Sequence, residues 1–151
     1  MAKVEASVEI PAPLADVWDL YFDPDRWASW VDGFAAVVSE SGYPEAGGEL
    51  VWRSTEAGRG RVKESVVAHE PRTLHRVRYE DPESAGEFET TFEMVPSGGD
   101  RVTKVTQRLA YGLQGGGPLG AVTDLLFIRS QMRRSLERSL SDLRAESADG
   151  G

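Results

Sequence analysis

The sequence predicts an α+β fold: a curved antiparallel sheet of about seven strands around a long C-terminal helix, with two short helices after the first strand. Three observations support this prediction. Residues 3–10 alternate strictly in polarity, strand patterns recur to about Leu113, and helical spacing runs from Pro118 to about Glu146. Because a large sheet cannot leave its apolar face in water, we expect it to wrap around the long helix.

The first strand and the two short helices have clear boundaries. Pro11 and Pro13 end the strand, because proline cannot donate to a strand ladder. Helical spacing then places four apolar side chains on one face: Leu14, Val17, Trp18 and Tyr21. Asp23, as an N-cap before Pro24, predicts the start of a second helix, which is expected to end at Gly33.

The middle of the chain predicts six more strands, over residues 34–41, 48–55, 60–70, 73–80, 86–95 and 101–113. A tight turn at Pro71-Arg72 joins two of them, and the segment 96–100 makes another turn. The glycines at 115–117 should end the last strand, and we interpret them as a flexible gate before the helix. Residues 1–146 therefore form a single predicted domain, and 147–151 are expected to fray as a tail.

Composition excludes several classes of function. The 151 residues include no cysteine and only two histidines, which argues against disulfides, thiolate zinc sites and histidine-rich metal sites. We expect no metal and no cofactor. A net charge of −8 disfavours nucleic acid as a partner. No apolar run approaches the ~18 residues of a membrane span, and the N-terminus lacks a signal peptide, so we expect a cytoplasmic protein.

Hairpin register predicts which side chains line the concave face of the sheet. Pairing around Pro71-Arg72 places Ala68 opposite His75, Val66 opposite Val77 and Glu64 opposite Tyr79. Continuing the register places Phe92 beside His75, Thr90 beside Val77, and Phe88 beside Tyr79, with Gln107 on the next strand. Leu50 and Trp52 are expected beside Val66 and Glu64. The predicted face is apolar with a few polar groups, as in a ligand cavity.

The long helix places one cation, Arg129, near the middle of its apolar stripe. A buried guanidinium needs an acceptor, because leaving it unpaired is very costly. Glu64 is one candidate acceptor, and a ligand carboxylate, phenolate or enolate is the other. A structural ion pair, or a side chain reaching solvent at the cavity mouth, is the alternative interpretation.

Four segments together carry a resemblance to a known family: Ile10–Pro13 leading into Val17-Trp18, Asp23–Trp30, His69–Leu74 and Gly117–Gly120. They resemble the START/Bet v 1-like superfamily, particularly its polyketide cyclase/dehydrase branch. The resemblance implies a helix-grip fold with an internal cavity between the sheet and the C-terminal helix. It implies little about chemistry, because members bind or transform very different ligands.

Three functions remain open at this point. The first is binding of a hydrophobic or aromatic, polyketide- or lipid-like molecule by Trp52, Tyr79, Phe88, Thr90, Phe92, Gln107 and Arg129. The second is a cyclase- or dehydrase-like enzyme, in which His75 or Glu64 moves a proton while Arg129, Tyr79 or Gln107 holds an enolate. The third is a protein-interaction role like that of co-chaperone or quinone-associated relatives. Each side chain also has an ordinary structural interpretation. A monomer and a homodimer paired through edge strands are both compatible with the sequence.

Overall fold

The computed structural model describes residues 2–55, 60–96, 101–113 and 121–149, with the side chains of the last segment described over 127–148. The strands are β1 (Ala2–Ile10), β2 (Phe34–Ser41), β3 (Glu49–Ser54), β4 (Arg61–Glu70), β5 (Leu74–Glu80), β6 (Ser84–Met94) and β7 (Thr103–Leu113). The helices are α1 (Leu14–Tyr21), α2 (Trp27–Trp30) and α3 (Ala121–Asp149), and a 3₁₀ turn at Pro24–Arg26 precedes α2.

All seven strands form one antiparallel sheet in the order β1-β7-β6-β5-β4-β3-β2. Strands β2 to β7 follow one another as neighbours, whereas the short helices carry the chain from β1 at one edge to β2 at the other. Helix α3 contacts β1 and α2 across the concave side. The predicted α+β architecture, with about seven strands around a long terminal helix, is confirmed.

The core lies between the sheet and α3. The helix contributes Leu136, Leu140 and Leu143, which are all buried, while Met132 is half-buried on the same side. Val17 and Ile10 are also fully enclosed. Burying each of the fully buried side chains among these contributes about 1.5–3 kcal/mol to folding. The apolar stripe predicted for the long helix is therefore confirmed over its described C-terminal part.

The helix boundaries follow local chemistry. The Asp23 carboxylate accepts a hydrogen bond from the backbone N–H of Asp25 at 3.1 Å, as expected of an N-cap. Helix α2 ends at Trp30, three residues before the predicted end at Gly33, and the turn into β2 uses the φ of 77° at Gly33. Helix α3 continues to Asp149 rather than ending at Glu146, and the ion pair between Arg26 and Glu146 holds its last turns against the 3₁₀ turn. The glycines at 115–117 and Pro118 lie outside the described residues.

The register of β4 and β5 is partly different from the predicted one. Glu64 lies opposite Tyr79 and Val66 opposite Val77, as predicted. A register shift between Val66 and Ala68 then places His69, rather than Ala68, opposite His75. A bulge inserts one extra residue on one strand, which moves every later partner by one position.

The predicted neighbours of β5 and β3 are wrong by two residues, although their faces are right. His75 lies opposite Thr90, Val77 opposite Phe88 and Tyr79 opposite Gly86. The shift between β5 and β6 comes from a tight turn, in which the Asp81 carboxylate accepts hydrogen bonds from the backbone N–H groups of Glu83 and Ser84, both at 2.8 Å. Strand β6 therefore starts at Ser84 instead of Gly86. On the other flank, Leu50 lies opposite Glu64 and Trp52 opposite Val62.

Within the described residues, no helix combines the length and the apolar character that crossing a bilayer requires.

Candidate functional site

A cavity of about 120 Å³ lies between the concave face of the sheet and α3. Eight aromatic side chains line it: Tyr21, Trp27, Trp30, Phe34, Tyr43, Trp52, Tyr79 and Phe88. This volume is of the order that encloses one benzene-sized ring, since an engineered apolar cavity of about 150 Å³ binds benzene. The arrangement suits an aromatic or apolar group held by a few polar contacts.

The ends of α1 and α2 build one side of the cavity. Tyr21 is the last residue of α1, and Trp27 and Trp30 are the first and last residues of α2. The indole N–H of Trp27 donates to the backbone carbonyl of Tyr21 at 2.8 Å, which locks the two helices together. The ring of Trp30 lies 4.8 Å from the ring of Tyr21, measured between centroids. The aromatic wall is therefore held by contacts within its own elements.

A buried hydrogen-bond chain runs along the sheet side of the cavity. The Gln107 side-chain amide donates to the Tyr21 hydroxyl at 3.2 Å, and that hydroxyl is 2.7 Å from the hydroxyl of Thr90. Burial raises the pKa of Tyr21 to about 12, although the hydrogen bonds with Thr90 and Gln107 oppose that rise. Tyr21 is therefore a neutral hydrogen-bonding group at physiological pH.

An acidic group, Glu64, lies in the cavity wall. Its carboxylate accepts a hydrogen bond from the indole N–H of Trp52 at 2.8 Å. Burial raises the pKa of the Tyr43 hydroxyl well above its ordinary value, and the negative charge of Glu64 raises it further. The cavity thus combines the Glu64 carboxylate with the phenols of Tyr21 and Tyr43, which keep their protons.

Polar contacts join Asp32 to α3 at one side of the cavity, and we name this group of contacts the Asp32 latch. The Ser135 hydroxyl donates to the Asp32 carboxylate at 2.7 Å, and the Asp32 backbone N–H donates to the Ser139 hydroxyl at 2.9 Å. The guanidinium of Arg138 pairs with the same carboxylate at 3.0 Å and is the main cause of the lowered pKa of Asp32. The latch ties the segment after α2 to the middle of α3.

Five of the predicted site residues line this cavity: Trp52, Glu64, Tyr79, Phe88 and Gln107. Thr90 lies behind the wall and touches the Tyr21 hydroxyl. Phe92 is buried beside the cavity, with its ring 4.8 Å from Trp18 and 5.1 Å from Tyr21. Thr90 and Phe92 therefore shape the site without lining it.

His75 is not part of the cavity wall. Its Nδ1 lies 3.0 Å from Nδ1 of His69, and its ring packs 4.9 Å from Phe22 and 5.4 Å from Tyr43. The bulge after Val66 brings the two histidines together, and nothing in the sequence marked that pairing. Burial, with a smaller contribution from His69, lowers the pKa of His75 to about 3. A neutral, enclosed imidazole outside the cavity is poorly placed to shuttle a proton to a ligand there.

The expected inward orientation of Arg129 is wrong. Its side chain is exposed and lines a surface groove near Lys3 and Glu5 of β1, together with Arg108. Helix α3 contacts the edge strand β1, so a long side chain at this position can reach water beside that strand. Arg129 therefore requires no internal acceptor.

Sequence reasoning missed several residues of the site. The sequence predicts Tyr21 on the apolar face of the first helix, whereas Tyr21, Trp27 and Trp30 all line the cavity. Tyr43 reaches the wall from the β2–β3 connection, after Gly42 with a φ of 69°. Nothing in the spacing of Asp32 and Ser135 signalled their contact, because long-range contacts of this kind leave no local pattern.

No group of three or more His, Asp or Glu side chains that could hold a metal ion occurs among the described residues.

Comparisons with known proteins place this architecture in a family. Residues 1–148 match the model of the family described as polyketide cyclase / dehydrase and lipid transport. A search of curated proteins found no match.

Solved structures with the same fold include a START superfamily protein from Mycobacterium smegmatis, with a TM-score of 0.77 and 12% identity over 99% of both chains. The Zhui aromatase/cyclase from Streptomyces sp. R1128 has a TM-score of 0.76 and 14% identity, over 97% of this chain and 93% of that one. A protein of Thermus thermophilus has a TM-score of 0.76 and 19% identity over 99% of both chains. The family match over nearly the whole chain, on a START-like fold, shows that this protein belongs to the polyketide cyclase / dehydrase and lipid transport family.

Proposed function

We propose that this protein binds a hydrophobic or aromatic small molecule, polyketide- or lipid-like, in the cavity between the sheet and α3. The observation that carries the proposal is the set of aromatic side chains around a partly open cavity of about 120 Å³. Protein interiors are normally close-packed, so a space lined by apolar side chains favours an apolar group that would contact them. The family description supports the same conclusion, since it covers both polyketide chemistry and lipid transport.

The size of the cavity limits what it can hold without rearrangement. Pockets for drug-sized ligands usually span about 300–1,000 Å³, so the space among the described residues suits one ring or one end of a longer molecule. The Asp32 latch lies on the cavity rim. Parting of this latch would let α3 move away from α2, and a larger ligand could then enter.

Filling the cavity should abolish binding. We expect Phe88→Trp to weaken binding of 4-methylphenol at least tenfold, because the larger indole occupies the space that the ring needs. Phe127→Trp is the matched control, since Phe127 is 61% exposed and lies away from the cavity. Isothermal titration calorimetry on the wild type and both variants measures the effect, and native mass spectrometry reports any molecule that co-purifies.

Two outcomes would contradict the proposal. In the first, the wild type binds neither 4-methylphenol nor any co-purified apolar molecule. In the second, Phe88→Trp and Phe127→Trp bind 4-methylphenol with equal affinity, which would place the ligand outside this cavity. Thermal melting of both variants confirms that they fold.

A second candidate function, enolate chemistry of the cyclase type, is favoured by one observation: a carboxylate and two protonated phenols border the same cavity. Glu64 could take the α-proton of a ketone, while Tyr21 or Tyr43 donates a hydrogen bond to the enolate oxygen. The carbanion then attacks a second carbonyl of the same chain, and the resulting alkoxide takes back the proton. Holding both carbonyls in one cavity makes the step effectively unimolecular.

The proton-transfer half of this reaction can be measured alone. We expect the wild type to accelerate exchange of the α-methyl hydrogens of acetophenone in D₂O, followed by NMR. Glu64→Gln should reduce the enzyme-catalysed rate by roughly 10²-fold or more, as expected for loss of a general base. Glu80→Gln, at an exposed position on β5, is the control. Binding of acetophenone without accelerated exchange would rule out the proposed enolate chemistry and would leave the proposed binding function standing.

A further inference from the structure

Two buried polar atoms of the cavity have no hydrogen-bond partner among the described residues. They are the indole Nε1 of Trp30 and the amide Oε1 of Gln107. Trp30 is 3% exposed and Gln107 is 2% exposed, and both line the cavity. Because a buried donor or acceptor without a partner destabilises the protein, such atoms are rare and point to a group that binds there.

Trp30 and Gln107 are linked through Tyr21, which contacts both side chains. The Trp30 ring packs 4.8 Å from the Tyr21 ring, and the Gln107 amide nitrogen donates to the Tyr21 hydroxyl at 3.2 Å. That hydroxyl in turn reaches Thr90 at 2.7 Å. With its nitrogen committed to Tyr21, the Gln107 amide presents its oxygen as an acceptor.

We propose that Trp30 and Gln107 form a polar subsite that recognises an un-ionised hydroxyl group on a ring bound in the cavity. A hydroxyl can accept a hydrogen bond from the Trp30 indole and donate one to the Gln107 oxygen. A ketone or ether offers only an acceptor and leaves Gln107 unsatisfied. This inference rests on the proposed binding function and names its ligand class: hydroxylated aromatic or cyclic molecules of the phenol type.

The electrostatics of the cavity favour the neutral hydroxyl over its anion. Glu64 places a negative charge in the wall, and burial keeps the protons on Tyr21 and Tyr43. A phenol entering the same environment meets the same two effects. No cationic side chain occurs among the described residues that line the cavity, so a phenolate would have no counter-charge there.

The protein should bind ligands with the hydroxyl group much more tightly than analogues without it, because an analogue without the hydroxyl leaves two buried polar atoms unpaired. Sites that hydrogen-bond a ligand hydroxyl reject analogues lacking it far more strongly than apolar pockets reject a missing methylene group. The relevant comparison is 4-methylphenol with 1,4-dimethylbenzene, in which a methyl group of similar size replaces the hydroxyl. We expect the wild type to bind 4-methylphenol at least tenfold more tightly.

The test measures this preference in variants of the subsite. Gln107→Leu and Trp30→Phe each remove one polar group while keeping an apolar side chain, and each should reduce the preference at least threefold by calorimetry. Phe127→Leu, at an exposed position outside the cavity lining, should leave the preference unchanged. Thermal melting checks the fold of each variant, and Trp30→Phe carries the test if Gln107→Leu unfolds.

An NMR measurement on the unaltered protein gives an independent readout. The indole N–H resonance of Trp30, assigned from its loss in Trp30→Phe, should move downfield on adding 4-methylphenol and move less with 1,4-dimethylbenzene. Equal affinity for both ligands, with subsite variants that behave like the wild type, would overturn the subsite and leave the binding function standing. If neither ligand binds, both the subsite and the proposed function fail.

Discussion

Lowering the pH from 7 to 4 is expected to remove on the order of 3 kcal/mol of folding stability through His75 alone. Burial, reinforced by His69, lowers the pKa of His75 from 6.5 to about 3 in the folded protein. Between these two values the unfolded chain binds a proton that the folded chain does not. The contribution of His75 to folding stability is therefore complete above pH 6.5, and it is lost progressively as the pH falls towards 3.

His75→Phe separates this effect from the titration of carboxylates. Phenylalanine keeps a ring against Phe22 and Tyr43 but takes up no proton. Urea unfolding followed at intervals between pH 7 and 4 should show a shallower loss of stability in the variant than in the wild type. Identical slopes in the two proteins would show that His75 is not held neutral by its surroundings.

Gly86→Ala is expected to destabilise the protein by about 1–3 kcal/mol or more, the usual cost of forcing an extra methyl group into a packed site. A Cβ at this position would overlap the carbonyl oxygen of Ala110 and lie 2.9 Å from Cα of Tyr111. Both atoms belong to the backbone of β7, which cannot move without disturbing the ladder. Gly86 also lies directly opposite Tyr79, whose ring lines the cavity.

Gly112→Ala is the matched control on the neighbouring strand. A Cβ there meets no heavy atom of the described residues within 4 Å. Since alanine restricts the unfolded chain more than glycine does, this variant should be neutral or stabilised by up to about 1 kcal/mol. Thermal or urea unfolding of both variants measures the difference. Equal stabilities would show that the β6–β7 contact has more room than the structure indicates.

The architecture was predictable because its signals are local. Alternating polarity in residues 3–10, the Pro71-Arg72 turn and the helical stripe through Leu136, Leu140 and Leu143 each depend on neighbouring residues. The face of each strand was also predictable, since side chains alternate with a period of two. These signals were enough to place Trp52, Glu64, Tyr79, Phe88 and Gln107 on the cavity side.

The register was less predictable, because it depends on connections that periodicity does not describe. The bulge after Val66 brought His69 to His75, and the Asp81 turn moved β6 by two residues along β5. A bulge and a turn capped by a side chain each have a small local free-energy cost, so their positions depend on the packing of the surrounding sheet.

The sequence by itself determined the fold class, the order of the elements and the side of the sheet that faces the cavity, because binary patterning and turn residues act over a few neighbouring positions. Only the tertiary structure decided which polar groups are enclosed. It exposed Arg129 to solvent, buried His75 beside His69 and brought both Trp30 and Gln107 into contact with Tyr21. Those outcomes depend on how helices pack across a curved sheet, and the free energy of a buried polar group depends on every element around it.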